Sequence, residues 1–318
     1  MSNLSRKPKI LVVGSINVDL TVSTEVFPKE GETVSGNGFK KSAGGKGANQ
    51  AVQLARLGAD VTMVGAVGND ADGREMRELL CREGVDTSFI TVKNDMPTGC
   101  AVIVLHGAKN RIIVYAGANG ALELADVEFL KNEIAGYDMV VLQLEIPMEI
   151  NEAVAKYACE KGVPVFLNIA PYAPVSDEFL SCVTYLSPNE TEAESLTGVK
   201  ITRNRAAASL DEAKQVAKLV IARGSDNVVI TLGSAGAYFF GESGEFYSSA
   251  VDGIKAVDPT AAGDSFIGGF IFAVTSGVDT AAALRFANYT AALTVSRMGA
   301  IPSLPTLDEV NTMLEKSK

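Results

Sequence analysis

Apolar, β-branched runs recur along the chain at Ile10–Val13, Val61–Val67, Met139–Leu144, Val163–Leu167 and Val228–Leu232, and they constrain the fold more than any other feature. Runs that are hydrophobic at nearly every position, rather than at alternate ones, belong to strands buried on both faces of a parallel sheet. Segments with helical spacing lie between them: Gly47–Leu57, Gly73–Glu83, Ile150–Lys161 and Leu210–Arg223. Alternating strand and helix predicts an α/β/α sandwich of three layers around a mainly parallel sheet. The last third reads as helical over Gly263–Gly277, Thr280–Arg297 and Leu307–Lys316.

Two regions break that rhythm. Residues about 17–42 and 97–118 are rich in Thr, Val, Gly and Lys and carry short alternating segments such as Ala101–Leu105 and Arg111–Tyr115. They predict a small β-sheet set apart from the main one. Ligands collect in crevices at strand ends, so such a sheet is placed to act as a lid. With no repeat, low-complexity tract or long linker, residues 1–318 read as a single domain carrying these two lid segments.

Charge and residue usage exclude several classes of function. A formal net charge of −10 repels phosphate backbones and anionic lipids, so neither nucleic acid nor membrane is an expected partner. After the basic N-terminal MSNLSRKPK only Ile10–Val13 follow as an apolar run, too short for a signal-peptide core, and no stretch approaches the length of a membrane helix, which predicts a cytoplasmic protein. Cys81, Cys100, Cys159 and Cys182 are scattered without a CxxC pair and read as buried or partly buried free thiols. A single histidine, His106, rules out HExxH and His-rich metal sites.

Common nucleotide fingerprints are absent. Lys46 follows Gly45, but Lys40 and Gly47 stand where a Walker A loop needs glycine and serine or threonine. The first strand runs into Gly14-Ser15-Ile16-Asn17 rather than GxGxxG. The strongest local signal is Asp258-Pro259-Thr260-Ala261-Ala262-Gly263-Asp264-Ser265-Phe266, followed by an apolar helix in which Gly268-Gly269 permits close packing. Small residues at Ala261, Ala262 and Gly263 leave backbone N–H groups open where a helix begins, and the helix dipole adds positive potential. Asp264 in the first turn either caps that helix or takes a proton from an attacking hydroxyl.

A second signal is Ser42-Ala43-Gly44-Gly45-Lys46-Gly47-Ala48-Asn49-Gln50, a glycine loop carrying a charge and an amide. It either wraps a small polyol or is a tight turn that opens a helix. Asn17-Val18-Asp19 places two polar groups on one side at the end of the first strand, or forms an Asx turn. Weaker signals are Pro188-Asn189-Glu190-Thr191-Glu192 (a cap or a magnesium-phosphate site), Thr231-Leu232-Gly233-Ser234-Ala235-Gly236 (a nucleotide turn or a hairpin), and Glu145 at a strand end.

Together these pieces resemble the ribokinase family, the PfkB-type carbohydrate kinases, over nearly the whole chain. Gly44–Ala51 and Asp258–Phe266 are its signature segments. The resemblance implies an ATP-dependent sugar kinase, with D-ribose phosphorylated at its 5-hydroxyl. Sugar contacts would come from Asn17, Asp19, Gly45, Lys46, Asn49 and Glu145. Asp264 would be the catalytic base, with Ala261, Ala262 and Gly263 forming the anion hole. ATP would lie along Asn189, Thr231, Gly233, Gly236, Gly263 and Asn288, with Glu192 organising Mg²⁺. An activating K⁺ would sit among Asp258, Thr260, Thr294, Arg297, Gly299 and Ser303, largely on carbonyls, and a homodimer would form through the lids. Pro259 and Ser265 depart from the commoner threonines. A kinase for 2-deoxyribose, another sugar or a nucleoside, and a non-catalytic sugar- or nucleotide-binding regulator, are the competing readings.

Overall fold

The computed structural model describes residues 7–107, 109–204 and 207–316. The ends of the 1–318 unit, and Ala108 in the second of the expected lid segments, lie outside the described residues. The main sheet has nine strands in the order Gly244–Ser248, Ala237–Gly241, Asn227–Thr231, Tyr185–Ser187, Val165–Asn168, Met139–Gln143, Lys9–Val13, Asp60–Gly68, Val85–Lys93. All neighbours pair in parallel except at the first edge, where Ala237–Gly241 runs against both Asn227–Thr231 and Gly244–Ser248. The turn at 231–236 therefore closes a hairpin.

Each apolar run became a strand because its alternate residues enter two different cores. Ile10 and Val12 pack with the helices of one layer, and Leu11 and Val13 with those of the other. The chain first builds outward from Lys9–Val13 through Asp60–Gly68, then returns to add Met139–Gln143 on the opposite side. Strand order thus reverses at Lys9–Val13, and a crevice opens beyond the carboxyl ends of the strands at such a point.

The helix Ala262–Thr275 is buried nearly all round, from Asp264 to Ala273. Its glycines explain how it sits so deep. A Cβ on Gly268 would lie 2.6 Å from Gln53 Cγ, and one on Gly269 would lie 2.7 Å from Thr290 Oγ1. The helix is thereby pressed between Lys46–Arg56 on one side and Thr280–Val295 on the other.

The expected small sheet is present, with four strands in the order Gly36–Gly44, Asn17–Thr24, Gly99–His106, Lys109–Tyr115. Its inner pair, Asn17–Thr24 and Gly99–His106, is parallel and the outer pairs are antiparallel. Asn17 and Asp19 consequently begin this strand rather than ending the first one. All four cysteines are free, but Cys81 and Cys159 are exposed instead of buried, since each sits on the outward side of an amphipathic helix. Among the described residues no helix is long and apolar enough to cross a membrane.

Candidate active site

A cleft of about 240 Å³ runs along the carboxyl edge of the main sheet. Strand ends supply Asn168, Ser187 and Thr231; loops and helix starts supply Lys46, Asn189, Glu192, Pro259 and Ala261–Asp264. The start of the helix Ala262–Thr275 faces this space. Ala261 adopts φ 60°, ψ 10°, and it is the only non-glycine with positive φ among the described residues. That conformation costs an L-residue roughly 1–2 kcal/mol, and such strain concentrates at working sites. No side chain caps the helix. Its first amides and dipole are therefore open to an anion. A Cβ on Gly263 would meet nothing within 4 Å, so a side chain there would stand in the cleft.

Asp264 is not the cap of its helix. Its Oδ2 accepts a hydrogen bond from Asn49 Nδ2 at 2.9 Å, and its Oδ1 accepts one from Gln50 Nε2 at 2.9 Å. Burial pushes this carboxyl above its ordinary range, while Lys46 and the two amides pull against that rise. A carboxylate shifted toward neutrality is better matched to taking a proton from a hydroxyl at physiological pH. Lys46 carries the opposite balance: burial alone would lower its pKa, but Asp264, Glu145 and Glu192 raise it, so it stays an ammonium.

The glycine loop is built for close approach. Gly45 has φ 93°, and a Cβ there would lie 2.7 Å from the Asn17 nitrogen. A Cβ on Gly44 would lie 2.5 Å from either carboxylate oxygen of Asp19, so the missing side chain is what admits that carboxylate. Burial pushes Asp19 up to about 6, with Glu145 and Asp264 adding to the rise. Glu145 Oε2 accepts from Ser15 Oγ at 2.5 Å and from the Lys46 amide at 3.2 Å, bracing the loop against the strand ends. Asn17 Oδ1 accepts from Asn119 Nδ2 at 2.8 Å. Asn49 Oδ1 is buried and has no donor among the described residues.

Asn189 and Glu192 form a reciprocal capping box: Asn189 Oδ1 accepts from the Glu192 amide at 2.9 Å, and Glu192 Oε2 from the Asn189 amide at 2.8 Å. Both still line the cleft, and burial raises the Glu192 pKa against the Asn189 amide and Lys46. Beyond the helix start, Asp258 Oδ1 accepts from the Thr260 amide at 3.0 Å and its hydroxyl at 2.6 Å, while Oδ2 accepts from the Gly299 amide at 2.8 Å. The side chains of Thr294, Arg297 and Ser303 turn to Ser265, Glu309 and the Ala300 carbonyl.

The chain from residue 7 to 307 matches the model of the pfkB family carbohydrate kinases. Ribokinase of Haemophilus influenzae is 39% identical to it over 309 residues, 96% of this chain and 98% of that one. A structure of Arabidopsis thaliana ribokinase complexed with ribose and ATP matches with a TM-score of 0.88 at 36% identity, covering 98% of this chain and 99% of that one. The chain belongs to the pfkB family of carbohydrate kinases. Deoxyribokinase of Salmonella typhi is also similar to this kinase, at 33% identity over 307 residues, 96% of this chain and 98% of that one.

In this carbohydrate kinase the fold gathers Lys46, Asn189, Glu192, Thr231 and Ala261–Asp264 at one cleft, with Asn49 hydrogen-bonded to Asp264 and with Asp19 and Glu145 close enough to act electrostatically on Asp264 and Lys46. Gly233, Gly236 and Asn288 do not line the cleft. Gly236 is demanded by the hairpin, where a Cβ would lie 2.1 Å from the Ser248 carbonyl oxygen. The Asn288 amide donates to the Ser248 and Ser249 carbonyls. Sequence reasoning missed Gln50, Asn119, Asn168 and Ser187, and also Arg203. The Arg203 guanidinium bridges Glu190 at 2.8 Å and the Leu232 carbonyl. Polar residues closing otherwise apolar strands were the available signal for Asn168 and Ser187.

Proposed function

We propose that this kinase transfers the γ-phosphoryl group of ATP to the 5-hydroxyl of D-ribose, giving ribose 5-phosphate and ADP. The observation that carries this reading is the buried Asp264 carboxylate at an uncapped helix start, held by Asn49 and Gln50 of the glycine-loop helix. The sugar oxygen forms the new bond to phosphorus, the bond from phosphorus to the bridging oxygen of ADP breaks, and the hydroxyl proton goes to Asp264. Amides of Ala261, Ala262 and Gly263 stabilise charge on the transferred group, and Lys46 adds a nearby cation.

Sugar hydroxyls meet Asn17, Asp19, Gly45, Lys46, Asn49 and Glu145. The donor-less Asn49 Oδ1 supports this, because a hydroxyl would satisfy a buried acceptor that is costly to leave unpaired. ATP extends past Asn189 and Thr231 toward the 233–236 turn and Asn288. Among the described residues no cluster of three or more His, Cys, Asp or Glu is placed to hold a metal. The fit is therefore to Mg²⁺ arriving with the phosphates and meeting Glu192, where it would neutralise phosphate charge. The Asp258 carboxylate, bonded to the Thr260 amide and hydroxyl and to the Gly299 amide, supplies the hard oxygen donors by which these two loops would hold an alkali cation such as K⁺.

The enzyme acts as one domain in the cytoplasm, with the small sheet closing over sugar as a lid and joining two copies into a homodimer. Large apolar side chains exposed on one face of that sheet, Phe39 at 71% and Ile113 at 72%, support the dimer. The similarity to a deoxyribokinase favours 2-deoxyribose as the second reading. Incubation with ATP and D-ribose, with the product resolved by ³¹P NMR, tests the assignment: a 5-phosphate supports it, and absence of any sugar phosphate refutes it.

A further inference from the structure

The carboxylate of Asp264 ends a line of buried amides. Gln50 Nε2 donates to Asp264 Oδ1 at 2.9 Å, and Gln143 Nε2 donates to Gln50 Oε1 at 2.8 Å. Both glutamines have no exposure to solvent, and neither lines the cleft. Gln143 comes from the end of the strand Met139–Gln143, beside the first strand, and its Oε1 lies where a Cβ on Gly14 would need to be, 1.8 Å away. The absence of a side chain at Gly14 is what lets this amide in.

The polarity of the line follows from the charge at its end. A carboxylate accepts and cannot donate, so Gln50 must present its NH₂ to Asp264. Its own carbonyl then faces Gln143, which must present NH₂ in turn. A reversed Gln143 would set two carbonyl oxygens against each other. Asn49 holds the other carboxylate oxygen, so the two donors together fix the rotation of the carboxyl about its own axis.

We propose that Gln50 and Gln143 are positioning residues, which hold the Asp264 carboxylate in its reactive orientation without touching either substrate. This rests on the reading of Asp264 as the base. Other charges face Asp264 from neighbouring elements: Lys46 on the helix Lys46–Arg56, Glu145 past the strand Met139–Gln143, Glu192 on the helix Glu190–Thr197, and Asp19 on the small sheet. None of them donates a hydrogen bond to Oδ1; that part belongs to Gln50, and its bond opposes the effect of burial.

The test is the pH profile of kcat for Gln50→Met, which keeps side-chain length and removes the donor. Loss of a hydrogen bond to a charged group should raise the acid limb by about one to two pH units. Turnover should fall on the acid side of the shifted limb, recover as pH rises above it, and leave both KM values little changed. Gln143→Met should move the limb in the same direction by less, and the double variant should be no worse than Gln50→Met alone. An unmoved limb, or a loss equal at every pH, overturns the proposal. If Gln50→Met does not fold, Gln143→Met decides by the same criterion. Asp264→Asn measured alongside separates the two ideas: retained turnover there refutes the base itself, whereas an inactive Asp264→Asn with an unmoved limb in Gln50→Met refutes only the amide line.

Discussion

Asn49 and Asp264, separated by 215 positions in sequence, meet through a 2.9 Å hydrogen bond from Nδ2 to Oδ2 that joins the helix Lys46–Arg56 to the helix Ala262–Thr275. In the proposed mechanism, a group that recognises the acceptor and the group that deprotonates it share this contact. Asp264→Asn should keep the fold and ATP binding while lowering kcat by about 10²–10⁴-fold, the usual worth of a general base. Stopped-flow or coupled-assay turnover, with nucleotide binding measured separately, checks this; a variant that keeps most of its kcat removes Asp264 from the mechanism.

With Asp19 as a proposed sugar contact, sugar binding should have its own pH dependence. Its pKa is pushed up to about 6 by burial and the neighbouring Glu145 and Asp264. A sugar hydroxyl donates to the ionised form, so affinity should weaken as pH falls through about 6. The effect on stability has the opposite sense. The folded protein holds this proton more tightly than the unfolded chain, so the group favours folding at low pH and that contribution is lost as pH rises from about 4 to 6. Sugar KM measured from pH 5 to 8 should rise on the acid side in the parent and not in Asp19→Asn. A flat profile in the parent contradicts the role.

Potassium should activate more than sodium, through kcat or ATP affinity rather than sugar affinity. Asp258 joins the Thr260 turn to Gly299, whose amide donates to its Oδ2 and whose φ is +89°. A cation there would steady the turn leading into Ala261. The Lys40 ammonium reaches the same loop, with its Nζ 3.0 Å from where a Cβ on Gly299 would be. Lys40→Met should therefore enlarge the response to potassium. Equal rates in potassium, sodium and a bulky organic cation would dismiss the site.

Much of this was legible in the sequence where backbone demands are local. Continuous apolar runs gave the parallel strands, and the small residues at Ala261–Gly263 gave an open helix start before any contact was known. What escaped depends on long-range approach. Gln50 reads as one more helix residue until Gly268 lets the helix Ala262–Thr275 close on Lys46–Arg56, and Gln143 matters only because Gly14 leaves room. Asp264 was equally consistent with a cap, since Asp suits either place; the positive φ of Ala261 moves the cap position off it. Gly236 and Asn288 illustrate the converse, with their visible contacts belonging to the hairpin and its following loop rather than the cleft.

The exposed face of the small sheet should hold two copies together. Phe39 and Ile113 lie on the same face, paired through Val22 and Leu20 with their neighbours. Ile113→Lys should shift a dimer toward monomer in sedimentation velocity at micromolar concentration. A parent chain that sediments as monomer at that concentration contradicts the dimer.

Acceptor choice tests the account most directly. In the proposed reading, the acceptors and donors of buried Asn17 and Asn49 and half-buried Asp19 and Lys46 meet the full complement of hydroxyls of a small sugar. A 2-deoxy sugar leaves one or more of them unpaired, a loss of about 1–3 kcal/mol. Measured under identical magnesium and potassium, kcat/KM should be highest for D-ribose, with 2-deoxyribose lower by about ten- to a hundredfold and fructose and adenosine lower still. A higher kcat/KM for any of those three would contradict the assignment to ribose.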